Sequence, residues 1–195
     1  MVRENVSVDI KYEKSQLRGI IKELISVMSN EDRVLESKLL YDRLKKILPS
    51  DPVTICAYMP MEDEIDIKTL LKNLLENKYS IYLPKYEDRN IKFYKVEDLS
   101  DLVPGSFDIP EPASGASELC KNDVSYVLIP GRAFDRLGNR LGRGHGGYDK
   151  WIRNHRAKNQ NTTFLGVCYG CQIVQKVPVE AHDEPVDSIV SARGL

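Results

Sequence analysis

The sequence predicts an α/β fold in which helices flank a central sheet. Short apolar runs, typical of buried strands, alternate with longer segments whose apolar residues recur every three or four positions. Such alternation is the order of elements expected when a sheet is covered by helices. The apolar runs lie near residues 53–58, 79–84, 91–96, 124–129 and 163–167, and helices are expected near residues 12–28, 32–48, 67–75 and from 148 onward.

The composition suits one globular domain, residues 1–195. The chain is 42% hydrophobic and 29% charged, and 28 Lys and Arg against 29 Asp and Glu leave a formal charge of −1. This balance argues against a nucleic-acid partner, which would need an excess of basic residues. The polar first residues do not resemble a secretory signal, no apolar run is long enough to span a membrane, and the four cysteines lack the spacing of a disulfide framework. We therefore expect a cytoplasmic monomer with no membrane partner.

The first helix carries basic residues close to its apolar face. Lys14, Arg18 and Lys22 follow one another at intervals of four residues, so that they share a stripe along the helix. At 100° per residue Lys14 points into the apolar arc, and Arg18 lies at its edge. A solvated basic face is one interpretation. The other is that Lys14 and Arg18 bind a phosphate, because cations in this position oppose both each other and the helix dipole.

A carboxylate-rich loop connects the first predicted strand to the next helix. Ser29 with Asp32 predicts the start of the second helix, and Pro49 and Pro52 end it. After the strand, the loop around residues 62–66 contains four carboxylates, of which Asp66 is a candidate N-cap. These carboxylates either favour the helix N-terminus or bind a ligand, since α/β sheets bind ligands at the carboxyl ends of their strands.

Two tyrosine-containing strands and a loop-rich segment follow. Tyr82, Tyr86 and Tyr94 could line a pocket for a planar ligand, but cross-strand packing is the more common role of strand aromatics. The segment 102–122 is punctuated by proline and glycine, which predicts a lid or an irregular meander. Trp151 is predicted to pack in the core.

The most unusual stretch is 138–151. Five glycines fall within ten residues, interleaved with Arg140, Arg143 and His145. It follows the strand that ends near Pro130 and precedes the helix expected from about Tyr148. Glycine lets the backbone approach a ligand, arginine suits phosphate or carboxylate, and amides at a helix start favour anions. Anion binding is predicted, with a plain surface turn as the alternative; the P-loop pattern is not matched.

Two further clusters suggest metal chemistry. Cys168 and Cys171 form a C-x-x-C pair, but without two more paired ligands structural thiols are the favoured interpretation. Four carboxylates crowd residues 180–187, and hard oxygen ligands suit Mg²⁺, with Asp149 as a natural partner. A solvated acidic loop is the alternative.

The motifs resemble those of the 5-formyltetrahydrofolate cyclo-ligases. PGRAFD at 130–135 and GNRLGRGHGGYD at 138–149 are similar to the family signature. Further segments of the chain lie in the same order as in the family: KSQLR at 14–18, YMP at 58–60 with Glu64, LPK at 83–85, IPEP at 109–112, Gln172 and VPVEAHD at 177–183. The resemblance implies a three-layer α/β/α fold with a mostly parallel mixed sheet, similar to ribose-phosphate isomerase and CoA-transferase architectures.

The resemblance also implies the substrates and their binding residues. It implies ATP and 5-formyltetrahydrofolate as substrates and Mg²⁺ bound by Asp149 and Asp183, with Arg143, Lys14 and Arg140 as catalytic cations. The folate would contact Met59, Glu64, Arg143, Gly144, His145, Gly146 and Gly147. ATP would contact Lys14, Ser15, Gln16, Leu17, Arg18, Arg140, Leu141, Gly142, Arg143, Gly144, His145, Gly146, Gly147 and Tyr148.

Three residues depart from the family signature. Gly147 stands where the family usually has a tyrosine, His145 where Lys or Gly is common, and Arg132 where the residue is usually aliphatic. Two alternatives therefore remain at this stage. One is a nucleotide- or folate-binding paralogue impaired in catalysis, and the other is a sugar-phosphate isomerase-like enzyme that uses the 62–66 carboxylates as a base.

Overall fold

The computed structural model describes residues 9–88, 90–119 and 123–194, and within them the predicted helices are present. Ser29 caps the second helix through its side chain, which accepts from the Asp32 amide at 3.0 Å. The third helix begins two residues beyond Asp66; its cap position is Ile67, and Asp66 accepts from the Lys68 amide at 2.7 Å. The four helices are α1 (Ile10–Ser26), α2 (Asn30–Ile47), α3 (Lys68–Glu76) and α4 (Gly147–Arg156).

The strands form one large sheet and two small ones. In chain order they are β1 (Thr54–Cys56), β2 (Ser80–Glu87), β3 (Asn90–Val96), β4 (Val103–Pro104), β5 (Pro110–Glu111), β6 (Tyr126–Pro130), β7 (Ala133–Asp135), β8 (Arg140–Leu141), β9 (Thr163–Cys168), β10 (Ile173–Val174) and β11 (Ser188–Ser191). The large sheet has the order β11-β9-β6-β1-β2-β3. All its neighbouring strands are parallel except the β2–β3 hairpin. This is the mostly parallel mixed sheet that the family resemblance implies.

The core lies on both faces of this sheet, because successive side chains of a strand point to opposite faces. In β6, Leu128 packs with the cluster under α1, α2 and α3, whereas Val127 and Ile129 pack with the cluster that includes Ile152 of α4. In β1, Ile55 belongs to the first of these clusters and Cys56 to the second. Helices therefore cover both faces, and the three-layer arrangement is confirmed.

The glycine-rich stretch is more ordered than the sequence predicts. The strand–loop–helix expectation omitted β7 and β8, which pair antiparallel and, with β10, form a three-stranded sheet. Gly138 makes the turn between them with φ of 83°, and a Cβ there would lie 2.3 Å from the Val186 carbonyl oxygen. Only glycine fits that turn without displacing backbone. The helix then begins at Gly147, one residue earlier than expected.

The aromatic side chains of the strands and of α4 occupy different environments. Tyr82 packs in the core, Tyr86 reaches the pocket described below, and Tyr94 donates to Glu87, which raises the pKa of Tyr94 to about 12. Trp151 stacks on His155 with ring centroids 4.8 Å apart, and packs on Phe93 and Phe164.

Part of the loop-rich segment 102–122 forms the small β4–β5 sheet. Cys120, the end of that segment and the first residues of the chain lie outside the described residues. Within the described ranges, the structure contains no helix that combines the length and the apolarity required for crossing a membrane.

Candidate active site

A pocket of about 510 Å³ lies beyond the carboxyl ends of β1 and β6, two neighbouring parallel strands. Loops following such strands commonly bind ligands in α/β proteins. Tyr58, Met59 and Met61 follow β1, Pro130 ends β6 and is followed by Gly131 and Arg132, and the glycine-rich stretch supplies Arg140, Gly142, Arg143 and residues 145–149. The pocket thus collects three parts of the sequence that were singled out separately.

The lining combines an apolar wall with a concentration of positive charge. The apolar part is made by residues from five segments: Tyr58, Met59, Met61, Pro84, Tyr86, Ile91, Ile109, Pro130 and Tyr148. Among the described residues that line the pocket there are six Lys or Arg and three Asp or Glu, although the whole chain has a formal charge of −1. A ligand with an apolar, planar portion and an anionic portion matches this lining.

Arg140 is the most buried cation of the pocket. Its Nη2 donates to both carboxylate oxygens of Asp149 at 3.0 Å, and its Nη1 donates to the Pro130 carbonyl at 3.3 Å. The guanidinium lies over the Tyr148 ring, 5.5 Å from its centroid. Its buried Nε has no hydrogen-bond partner among the described residues. Buried donors are nearly always paired, so this atom is an exception within the site.

Arg143 joins the glycine-rich stretch to the carboxylate loop after β1. Its Nε and Nη2 lie 3.1 and 3.0 Å from Oε1 of Glu64, and Nη2 also donates to Asp63. Burial alone would lower the pKa of Arg143, but its hydrogen bond to Asp63 and the charge of Glu64 raise it overall. Glu64 is fixed in turn by the Met61 amide, at 3.0 Å from Oε2. Arg132 pairs with the same Asp63.

The basic stripe of α1 divides between the pocket and an acidic cluster beside it. Arg18 lines the pocket and donates from Nε to the Gly142 carbonyl at 2.8 Å. Burial lowers the pKa of Arg18, and the opposing charge of Asp183 does not reverse that shift. Lys14 is buried and lies outside the lining; its Nζ is 2.9 Å from Glu180 and 2.5 Å from Asp183. Burial lowers the pKa of Lys14, but these two carboxylates raise it overall.

The acidic cluster beside the pocket has ligand atoms suited to a metal ion. Those of Glu180, His182 and Asp183 lie within 4.8 Å of one another. Asp149 borders the cluster, since its Oδ1 accepts from the Glu184 amide at 3.3 Å. Asp149 is engaged by Arg140 and Asp183 by Lys14, so side-chain cations neutralise both carboxylates. This oxygen-rich donor set fits Mg²⁺.

The two cysteines of the C-x-x-C pair are structural in this fold. Cys168 is buried, and burial raises its pKa, which disfavours the reactive thiolate. Cys171 is half-buried with its sulfur 3.7 Å from that of Met28. Within the described residues, neither belongs to a group of possible metal ligands.

The pocket brings together some of the predicted site residues and leaves others outside. Those that line it are Arg18, Met59, Glu64, Arg140, Gly142, Arg143, His145, Gly146, Gly147, Tyr148 and Asp149. Lys14, Asp183 and Gly144 lie in adjoining segments. Ser15 and Gln16 are exposed on α1, Leu17 packs against the core, and the side chain of Leu141 is buried within it.

Sequence reasoning missed two polar residues that organise the site. Asp135 is buried and accepts from the Leu137, Asn139 and Val177 amides at 2.9–3.1 Å, so it ties the β7–β8 turn to the segment before Glu180. Asp followed three residues later by Gly is a turn signature that could have revealed its role. Gln172, quoted only as part of a motif, is also buried and donates to the carbonyls of Gly131 and Arg132.

The fold and the pocket define an α/β enzyme whose site is built for an anionic ligand with an apolar, planar part. A model of the 5-formyltetrahydrofolate cyclo-ligase family matches residues 10–192. The chain is 31% identical to the Escherichia coli K12 5-formyltetrahydrofolate cyclo-ligase, over 71% of this chain and 77% of the relative. Against the Mus musculus 5-formyltetrahydrofolate cyclo-ligase the identity is 25%, over 94% and 96% of the two chains.

A solved structure shows the same likeness in three dimensions. The Aquifex aeolicus 5,10-methenyltetrahydrofolate synthetase superimposes with a TM-score of 0.78 at 33% sequence identity, covering 93% of this chain and 90% of that one. The chain therefore belongs to the 5-formyltetrahydrofolate cyclo-ligase family.

Proposed function

We propose that this protein converts 5-formyltetrahydrofolate to 5,10-methenyltetrahydrofolate, with hydrolysis of ATP to ADP and phosphate. The observation that carries the proposal is the meeting of Arg18, Arg140 and Arg143 with the glycine-rich stretch at one pocket that also has an apolar wall. A triphosphate requires the arginines and the glycine-rich stretch, and a pterin ring requires the apolar wall. Membership of the family supports the same activity.

The chemistry explains why cations matter more than a nucleophilic side chain. The formyl group on nitrogen 5 is amide-like, so its carbon is a weak electrophile and its oxygen a poor leaving group. Transfer of the γ-phosphoryl group from ATP to that oxygen converts it into a phosphate leaving group. Nitrogen 10 then attacks the carbon and loses its proton, and the oxygen departs with the phosphate. Such a reaction requires positioning and neutralisation of phosphoryl charge.

The cationic residues have separate roles in this proposal. Arg140 is held by Asp149 and lines the pocket, where its positive charge would attract a phosphate group. Arg143 is oriented by Glu64 and Asp63. The α4 N-terminus at Gly146 has no side-chain cap, which leaves its amides available to an anion. Lys14 lies one turn before Arg18 on α1, about 6 Å along the helix axis, and is proposed to bind the outer phosphates.

Magnesium would be held by the carboxylates at the edge of the pocket. Asp183 and Asp149 are the proposed ligands, and Glu180 is close enough to Asp183 to contribute. When bound, Mg²⁺ neutralises phosphate charge. Lys14 and Arg140 form ion pairs with these carboxylates; burial raises the pKa of Asp183, but the hydrogen bonds from Lys14 and the Glu180 amide together with the charge of Lys14 lower it overall.

The folate is proposed to lie against the apolar wall. Met59 is buried, lines the pocket and follows Tyr58 in the chain. Glu64 contacts the glycine-rich stretch by accepting a hydrogen bond from Arg143. A pterin between Met59 and residues 143–147 would place its formyl group beside the arginines. Glu64 then has a second role, because its carboxylate is a suitable acceptor for pterin N–H groups.

We also propose that the protein acts as a monomer in the reducing cytoplasm. Cys56, Cys168 and Cys171 are free thiols, as a reducing compartment maintains them. Size-exclusion chromatography with light scattering tests the first statement, and imaging of a tagged chain in its native cell tests the second.

A single assay tests the proposed activity. The protein is mixed with 5-formyltetrahydrofolate, ATP and Mg²⁺, and the methenyl product is followed by absorbance while ADP is quantified separately. We expect one ADP per product and no product when ATP is omitted. Product formed without ATP, or ADP formed without the folate at the same rate, would contradict the proposal.

Binding of ATP tests the roles of two cations directly. Arg143→Ala and Lys14→Ala should each weaken ATP binding by about 1–3 kcal/mol, as expected for lost charged hydrogen bonds. Lys11→Ala, on the exposed part of the same helix, is the control. Calorimetric titration with Mg-ATP measures the affinities, and an unchanged value in both variants would remove the phosphate role.

A further inference from the structure

Asp63 stands between two arginines that come from different parts of the chain. Its Oδ1 accepts from Arg143 of the glycine-rich stretch, and its Oδ2 accepts from Arg132, which follows β6. Both arginines line the pocket, whereas Asp63 does not. The side chains of Arg132 and Arg143 are 14% and 27% exposed, so both guanidiniums remain within reach of a ligand.

A series of contacts connects these residues to α1. Arg18 donates to the carbonyl of Gly142, the residue directly before Arg143. Arg18, Arg143 and Arg132 therefore reach the pocket from three elements and are linked through Gly142 and Asp63. Burial lowers the pKa of Arg18; the charge of Asp183 opposes that effect, and the charge of Arg132 adds to it.

Direct ion pairs engage two of the three arginines at this point. Asp63 and Glu64 together neutralise Arg132 and Arg143. Within the described residues Arg18 forms no ion pair at contact distance; its Nε donates to the neutral carbonyl of Gly142, and the charges of Asp183 and Glu180 act on it from farther away. Like charges that approach one another in a partly buried pocket are unfavourable unless an anion lies between them. Arg132 uses only Nη1 in its bond with Asp63, which leaves other donors for that anion.

We propose that Arg132 is a further substrate-binding residue, which holds the phosphate chain of ATP together with Arg18 and Arg143, and that Asp63 is the positioning residue that sets Arg132 against Arg143. The inference rests on the proposed function and extends it to two residues. Arg132 stands where the family signature usually has an aliphatic residue, so this contact belongs to the present chain. Phosphate is favoured as the ligand because planar guanidiniums on several sides of a pocket match its oxygens.

The test of Arg132 compares Arg132→Leu and Arg132→Gln with Arg136→Leu. Arg136 is an exposed arginine four residues away and is the matched control. Inorganic tripolyphosphate is titrated calorimetrically into each protein, and KM values for ATP and for 5-formyltetrahydrofolate are measured in parallel. Both Arg132 variants should bind tripolyphosphate about 10-fold more weakly and raise KM for ATP similarly, as for one lost charged hydrogen bond. KM for the folate and the thermal unfolding temperature should change little.

The test of Asp63 uses Asp63→Asn and Asp63→Glu. Asparagine would direct an N–H group at Arg132 or Arg143, so the two guanidiniums would no longer be held together. We therefore expect weaker tripolyphosphate binding and a lower kcat. Glutamate retains two anionic oxygens and should restore part of both. If Asp63 acted only by its charge, Asp63→Asn would instead bind tripolyphosphate more tightly than the wild type, because a negative charge has been removed. That result would contradict the positioning role.

The outcomes separate this inference from the proposed function. If the wild-type protein forms methenyl product with ATP but both Arg132 variants match Arg136→Leu, the inference fails and the proposed function stands. A rise in KM confined to the folate would also overturn the phosphate assignment. If the wild-type protein forms no product, the proposed function fails, and the tripolyphosphate titration still decides whether Arg132 binds phosphate.

Discussion

Nη2 of Arg140 donates to both carboxylate oxygens of Asp149, each at 3.0 Å, in a pair that is almost completely buried. Arg140 belongs to β8 and Asp149 to the first turn of α4, so the pair fixes the two ends of the glycine-rich stretch. The eight residues between them, which include Arg143, are thereby held at the mouth of the pocket.

Removal of Arg140 should destabilise the fold strongly. Arg140→Met leaves the Asp149 carboxylate buried without its partner, and we expect the free energy of unfolding to fall by about 3–5 kcal/mol. The double variant Arg140→Met/Asp149→Leu should recover part of that loss, because no buried charge remains unpaired. Urea denaturation measures both, with Arg136→Met as control. A loss of no more than about 1 kcal/mol, typical of surface pairs, would show that solvent screens this contact.

The Lys14–Asp183 ion pair should make stability depend on pH in a defined window. Burial raises the pKa of Asp183, but the hydrogen bonds from Lys14 and the Glu180 amide lower it overall from its ordinary 3.8. The contribution of Asp183 to the free energy of unfolding is therefore present above pH 3.8, and it is lost as pH falls through the lower pKa that Asp183 has in the folded protein. The pKa of Lys14 is raised above 10.5, so its contribution is present below pH 10.5 and is lost as pH rises further.

Lys14→Met should consequently lose more stability at pH 7 than at pH 3. The quantity to measure is the difference in free energy of unfolding between wild type and variant at the two pH values, without divalent cations. Lys11→Met should show no such difference. An equal loss at both pH values would mean that Lys14 stabilises the protein by packing alone.

Asp135 should be required for the position of the acidic cluster relative to the pocket. Besides the three amides, it accepts from the side-chain amide of Asn139 at 3.0 Å, and it is only 2% exposed. Asp135→Asn turns an N–H group toward these donors, and a loss of about 2–4 kcal/mol is expected from hydrogen bonds to a charged acceptor. Asp51→Asn, at an exposed position, is the control. Amide hydrogen exchange should increase at Leu137, Asn139 and Val177, and unchanged protection there would refute the role.

Gly147 should tolerate a methyl group but not the tyrosine of the family signature. A Cβ at Gly147 would lie 3.0 Å from Cδ1 of Ile91, the end of a flexible side chain, so Gly147→Ala should be nearly neutral. Gly147→Tyr must displace Ile91, and we expect a cost of about 1–3 kcal/mol from overpacking, with a higher KM for both substrates. Gly147→Tyr/Ile91→Ala should reverse part of each effect. If the double variant is worse than Gly147→Tyr, Ile91 is not the obstacle.

The elements that the sequence predicts correctly are those with a strong local signal. The periodicity of α1 and α2, the Ser29 cap and the apolar runs of β1, β6 and β9 all depend on residues close together in the chain. The small sheet of β7, β8 and β10 was missed because its strands are two or three residues long, and because β10, which completes it, lies 39 residues beyond its partner in β7. A pattern of period two cannot be recognised over so short a length.

The candidate site likewise has features that the sequence indicates and features that only the tertiary structure shows. The residue types alone indicate an anion site at 138–149 and a possible role for Lys14 and Arg18, because glycine and arginine there have few purely structural uses. Which carboxylate faces which cation was decided only by the tertiary structure: Asp63 and Glu64 meet Arg143, Asp149 meets Arg140, and Asp183 with Glu180 meets Lys14. Four of these five ion pairs join residues 79 or more positions apart, and a charge acts over distance in space rather than along the chain. Sequence therefore determined the chemistry available to this protein, and the packing of helices on both faces of the sheet determined which groups share a pocket.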